Sequence, residues 1–182
     1  MKRVAFTFIG KDRPGIIAGV THVLFKSGCN IEDTTMTILE GEFAMILIAS
    51  LSRQEEEGPL RRAFEKLKRE WGLNYFVKPI SGELVRGEKH PAGTRTYVVS
   101  VAGKDRTGIV YETSRILAKH KLNVTDLNSK ILGKKERSVF TMILEVDVPV
   151  RFEMKHLEPE WRKLRKKLKV DVNVRPLERL SL

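Results

Sequence analysis

Two eight-residue phrases hold the residues best placed to do chemistry: GKDRPGII at 10–17 and GKDRTGIV at 103–110. Each sets an aspartate, an arginine and a glycine within four positions: Asp12, Arg13 and Gly15, then Asp105, Arg106 and Gly108. Where such a phrase opens a helix, the free backbone N–H groups and the positive end of the helix dipole form a seat for a carboxylate or phosphate. A glycine there lets a small ligand approach the backbone closely. Downstream, at the same distance in both copies, stand Asn30 and Asn123, each with an aspartate three residues on, Asp33 and Asp126. Repetition of the whole phrase, with these residues at the same distance downstream, favours a ligand site. A blander reading stands beside it: the glycines serve only the turn and helix packing, and Asp12 and Asp105 hold the turn by side-chain to backbone bonds.

Catalytic and metal chemistry are poorly represented. His22, His90, His120 and His156 lie far apart, none at metal-ligand spacing with a cysteine or another histidine. The phrase lacks the Lys-Ser/Thr ending of a phosphate loop, and no dinucleotide fingerprint or nucleophile elbow appears. No catalytic residue, metal site or cofactor is expected. The one cysteine, Cys29, excludes an internal disulfide and fits a reducing cytoplasm. No run of about 18 apolar residues is present to span a membrane, and the N-terminus reads as a strand rather than a signal peptide.

The elements that position the phrases repeat as well. Residues 10–39 align with 103–132 without a gap, and twelve of the thirty positions are identical. The second copy then carries a hairpin longer by four residues, and the register resumes through Pro79 and Pro176. Alternating apolar residues precede each phrase, Val4, Phe6 and Phe8 in one and Tyr97, Val99 and Val101 in the other, which predicts a strand. In the first copy the pattern predicts a strand near 2–9, a helix near 14–27 with Pro14 in its first turn, and a hairpin of strands near 30–39 and 42–51. A helix near 58–71 and a strand near 73–79 complete the unit. The helix stripe is Leu60, Phe64, Leu67 and Trp71.

The order βαββαβ, given twice, defines an α+β fold. It predicts two ferredoxin-like units, each a four-stranded antiparallel sheet with two helices on one face. The expected domains are 1–80 and 95–182, joined by a Gly- and Pro-containing linker at 81–94. The third strand, FAMILIASL, is apolar at consecutive positions, so the helix-free sheet face or an edge beside it is expected to be covered by another domain or chain.

On D-R-P-G at 12–15, C-N-I-E-D at 29–33 and G-E-F-A-M at 41–45, the sequence resembles a tandem pair of ACT domains over nearly its whole length. Within that family it is most similar to the two-domain group typified by the glycine cleavage system transcriptional repressor. The resemblance implies a non-enzymatic regulatory module that binds an amino acid or related small metabolite between paired ACT domains. It also implies a homodimer signalling through a regulatory protein partner. The implied ligand positions are Asp12, Arg13, Pro14, Gly15, Ile16, Asn30, Ile31 and Asp33. Their counterparts in the second copy are Asp105, Arg106, Thr107, Gly108, Ile109, Asn123, Val124 and Asp126. Thr107 departs from the family's proline; that relaxes the turn without removing its amides. The two copies account for nearly the whole chain, so no attached enzyme is expected.

Net charge is +11, and the second half holds most of it. Six basic residues fall within WRKLRKKLK at 161–169, on the outer face of an expected helix 158–169 whose Leu164 and Leu168 turn inward. An alternative function follows: a protein-interaction module without a working pocket, whose basic face docks an acidic partner or polyanion. No helix-turn-helix, zinc cluster or aromatic platform accompanies the charge, so specific DNA binding is not expected.

Overall fold

The computed structural model describes residues 2–51, 57–80, 90–133 and 138–177. The chain divides into two compact units, Met1–Leu84 and Val85–Leu182. The first contains β1 (Lys2–Lys11), α1 (Ile16–Lys26), β2 (Asn30–Leu39), β3 (Glu42–Leu51), α2 (Glu57–Trp71) and β4 (Asn74–Ile80). The second repeats that order with β5 (Thr94–Lys104), α3 (Ile109–Lys119), β6 (Asn123–Leu132), β7 (Val139–Pro149), α4 (Glu158–Leu168) and β8 (Val170–Pro176), with a short 3-10 turn ahead of α4. The sheets are antiparallel at every pairing, in orders β2-β3-β1-β4 and β6-β7-β5-β8. This is the ferredoxin-like arrangement expected for each unit. Of the expected linker, residues 81–89 lie outside the described residues, as do 134–137 of the longer second hairpin.

Each core forms because period-2 and period-3.6 patterns present apolar faces to one another. In the first unit, Val4, Phe6 and Phe8 of β1 and Phe43, Met45 and Leu47 of β3 lie under Val20 and Leu24 of α1 and Phe64 of α2. Phe64 meets Phe8 edge-on with ring centroids 5.1 Å apart. In the second unit, Trp161 of α4 takes the place of Phe64 and is buried with Val99, Val101, Leu144 and Leu117.

The apolar run in β3 resolves into two faces. Phe43, Met45, Leu47 and Ala49 turn toward the helices and are buried. Ala44, Ile46 and Ile48 occupy the helix-free face, where Ile46 is 46% exposed.

The start of the first helix differs from expectation. Pro14 lies in the turn before the helix rather than inside it, and Gly15 is the N-cap at φ +94° and ψ −5°. Gly108 repeats this at φ +97° and ψ −4°. That left-handed conformation is what selects glycine, since a Cβ at either position would meet nothing within 4 Å. The glycine opening each phrase serves another purpose. A Cβ on Gly103 would stand 2.9 Å from the Lys169 carbonyl oxygen, and one on Gly10 3.0 Å from that of Gly72. The first residue of the repeated phrase therefore lets the β4 and β8 ends of the sheets close onto β1 and β5.

Candidate functional site

The strand-to-helix turns are exposed and built alike. After β1 ends at Lys11, Asp12, Arg13, Pro14 and Gly15 all face solvent, and Ile16 turns into the core as the first helical residue. Asp105, Arg106 and Thr107 are likewise exposed, with Gly108 half-buried and Ile109 buried. Neither N-cap supplies a side-chain oxygen to the first-turn amides, because glycine has none. Those amides are left for solvent or a ligand. The Asp12 N–H donates to the Gly41 carbonyl at 2.8 Å, which ties the first turn to the β2–β3 hairpin. The carboxylates of Asp12 and Asp105 make no hydrogen bond or ion pair among the described residues, so neither holds its turn by a side-chain to backbone bond. Arg13 lies over the Trp71 ring, 5.1 Å from its centroid, a cation–π contact that fixes the guanidinium beside the turn. At the position matching Trp71 the second unit has Leu168, so Arg106 has no such ring.

The asparagines sit elsewhere. Asn30 opens β2 opposite Ser50, which is opposite Arg3 at the start of β1. The turn follows Lys11, at the other end of that strand. Eight residues of strand separate the two ends, about 27 Å at 3.3–3.4 Å per residue. Within one unit, then, the turn and its asparagine do not come together. The same holds for Asn123, which faces Asp147 and through it Thr96. Both asparagines are exposed, and neither side chain makes a hydrogen bond among the described residues. Ile31 and Val124 are half-buried, and a β-bulge follows each, between Ile31 and Asp33 and between Val124 and Asp126. A bulge re-aims the residues beside it and often adjoins a functional site. Asp33 is exposed, while Asp126 accepts a bond from the Asn128 amide at 3.0 Å.

The two asparagine rows differ in charge, a difference that the identities shared by the copies do not convey. The first row contains Arg3. The second contains Asp147, 3% exposed, whose Oδ1 stands 2.6 Å from His90 Nδ1 and 3.4 Å from Thr96 Oγ1. Its Oδ2 is buried with no hydrogen-bond partner. The available signal was an aspartate interrupting the apolar strand FTMILEVDV, where the first copy has Ser50.

The basic helix is only partly free. Arg165 is half-buried and donates to Glu158 at 2.6 Å and to the Val172 carbonyl at 2.7 Å, and Lys167 pairs with Glu112 at 2.7 Å. Of the six basic residues expected on the outer face, Arg162, Lys163, Lys166 and Lys169 are exposed and have no acidic partner among the described residues. Among the described residues no three His, Cys, Asp or Glu side chains gather as a metal site, and no helix is long and apolar enough to cross a membrane.

Two βαββαβ units of this topology, each with a glycine-capped turn after its first strand, define a duplicated ferredoxin-like fold. The chain belongs to the ACT domain family, whose model matches residues 3–78 and 95–175. ACT domains generally bind small molecules such as amino acids, in regulatory rather than catalytic roles. The chain is 40% identical over 79 residues to a UPF0237 protein of Methanopyrus kandleri, a match covering 43% of this chain and 88% of that protein. A UPF0237 protein of Methanocaldococcus jannaschii is 37% identical over the same length and coverage. Among solved structures, an unknown protein from Galdieria sulphuraria superposes with a TM-score of 0.79 at 23% identity, over 97% of this chain and 99% of that one. A candidate glycine cleavage system transcriptional repressor gives 0.68 at 20% identity, over 98% of both chains. At those identities the likeness is one of fold.

Proposed function

We propose that the chain is a non-enzymatic sensor that binds an amino acid or related small metabolite between paired ACT domains and signals through a protein partner. The observation that carries this reading is the turn built twice alike: a left-handed glycine cap in both units leaves the first-turn amides without a side-chain acceptor. The ligand carboxylate rests on those amides. Since turn and asparagine stand about 27 Å apart within a unit, the amide that completes the site comes from the partner unit, and an unpaired unit has half a site. ACT domains at 1–80 and 95–182, in a cytoplasmic homodimer, supply both halves whether they pair within one chain or between two. Ligand favours one pairing geometry over another, and the difference in affinity is the signal. The repressor-like neighbour suggests the output: transcriptional control of amino-acid metabolism, glycine metabolism in particular, without direct DNA reading by this chain.

Isothermal titration calorimetry with each of the twenty amino acids tests the site. Saturable binding of one of them should weaken at least tenfold in the Asn30→Ala, Asn123→Ala double variant. Unchanged affinity would remove the asparagines from the site. A second reading is favoured by Arg162, Lys163 and Lys166 of α4 and Lys169 at its C-cap, exposed and without an acidic partner among the described residues, which suit an acidic protein or polyanion. Salt-dependent retention on heparin, lost when Arg162, Lys163 and Lys166 become glutamine, would support it.

A further inference from the structure

The two sheets share a topology but not the chemistry of their helix-free faces. On that face of the first unit, paired residues form rows across β2, β3, β1 and β4. One row reads Asp33, Ile48, Ala5 and Lys78, and the next reads Thr35, Ile46, Thr7 and Phe76. Beyond them Ala44 stands opposite Ile9. The middle of the face is uncharged, and Ile9, Ile46 and Phe76 are 45%, 46% and 69% exposed. Apolar side chains grouped in this way on a protein surface mark a contact site. The charges stand on the outer strands. Asp33 and Lys78 are both exposed, and neither has a charged partner among the described residues.

The second unit has the same rows with different centres. Glu145 stands where the first unit has Ile48, and Asn173 where it has Phe76. The ends of the charged row are kept, as Asp126 and Arg175. Covering that face would take the Glu145 carboxylate out of water, a cost that the first unit's face does not carry. The second face therefore suits solvent, and the first suits an uncharged apolar surface of its own size.

We infer that the helix-free face of the first unit packs on the same face of a second copy of this chain, about a two-fold axis running along the strands between β1 and β3. That axis lays β2 of each copy over β4 of the other, and β3 over β1, with each row over itself. Ile48 then faces Ala5, Ile46 faces Thr7 and Ile9 faces Ala44, so large side chains meet small ones and the layers interdigitate. Asp33 of each copy faces Lys78 of the other, which gives both charges a partner at the rim. Packed sheets turn by about 30° relative to one another. With strands about 4.8 Å apart, that turn shifts the outermost strands by about 4 Å, within reach of a lysine side chain. An axis across the strands would instead lay each strand on its own copy and bring the two Lys78 edges together. The interface rests on the homodimer of the sensor reading but not on amino-acid binding. It keeps the turn and the asparagine row at opposite ends, so it builds no part of the ligand site.

Sedimentation equilibrium of the full chain should show a dimer at micromolar concentration. Ile46→Arg should raise its dissociation constant at least tenfold, whereas Ile143→Arg, at the matching position of the second unit, should leave it unchanged. Lys78→Asp should weaken the dimer at least threefold, and adding Asp33→Lys should restore it, because the charges are then merely exchanged. If Ile46→Arg does not fold, which circular dichroism would show, the exchanged pair decides alone. A monomeric chain would overturn both this interface and the homodimer of the sensor reading, while amino-acid binding would still be read by calorimetry. A dimer undisturbed by Ile46→Arg, equally disturbed by Ile143→Arg, or not recovered by the exchanged pair would overturn the interface alone.

Discussion

Gly15 and Gly103 look interchangeable within the repeated phrase, yet backbone conformation selects one and a neighbouring strand the other. Alanine at Gly15 meets open space but must hold φ near +94°, so Gly15→Ala should lower unfolding free energy by about 1–2 kcal/mol, the cost of a left-handed conformation for an L-residue. Gly103→Ala instead drives a Cβ against the Lys169 carbonyl and the Val170 Cα, each 2.9 Å away. Those are backbone atoms and cannot rotate aside, so this substitution should cost more than Gly15→Ala. Urea denaturation of the two variants, compared at constant m-value, checks the order. Asp147 is the other informative residue. Its buried carboxylate relies on His90 and Thr96, and His90→Ala should destabilise the second unit by about 1–3 kcal/mol, the cost of stranding a buried polar group. Hydrogen exchange of β5 and β7 amides would localise the loss to that unit.

At the scale of elements, strand and helix order was legible because the chain states it twice and each copy corrects the other. The start of α1 was not. Proline and glycine both occur in first turns, and only the observed φ places Gly15 as the cap and Pro14 outside. The separation of Asn30 from its turn follows from the parallel course of β1 and β2, which sequence spacing does not convey. Packing partners between α1 and α2 were hidden as well. A Cβ on Gly19 would lie 2.3 Å from the Trp71 ring, whereas the second unit sets Glu112 and Leu168 at these positions. Gly19→Ala alone should therefore cost about 1–3 kcal/mol by overpacking, and Trp71→Leu should recover part of it. A double-mutant cycle by chemical denaturation measures the coupling; strict additivity would contradict the contact.

The α3–α4 contact gives a pH dependence. The Lys119 ammonium, 2.5 Å from Glu160, and then His120 hold the Glu160 carboxyl below its ordinary value near 4.5, against the opposing effect of burial. A carboxyl that is more acidic in the folded state contributes stability above its unfolded value, and that contribution is lost as pH falls through the folded one. Glu160→Gln should therefore flatten the fall in stability below about pH 4.5, while costing stability at neutral pH. Denaturation midpoints at several pH values would show whether the two curves converge in acid.

At the scale of the whole molecule, duplication has kept one architecture while letting the copies diverge beside the proposed binding residues. The turns keep their glycine caps. The asparagine rows carry opposite charge, through Arg3 and Asp147. The helix-free faces differ at their centres, with Ile48 in one and Glu145 in the other. A duplicated sensor whose units are not equivalent need not take two molecules of the same ligand with the same affinity. An amino acid that binds the folded state alone must raise its stability by RT ln(1 + [L]/Kd), about 2.7 kcal/mol when ligand is at a hundredfold excess over Kd. A thermal-denaturation screen of the full chain against the twenty amino acids reads that directly. Tm should rise in a dose-dependent way with one or a few chemically related amino acids, and less in the Asn30→Ala, Asn123→Ala variant. A flat response to all twenty at millimolar concentration would contradict amino-acid binding.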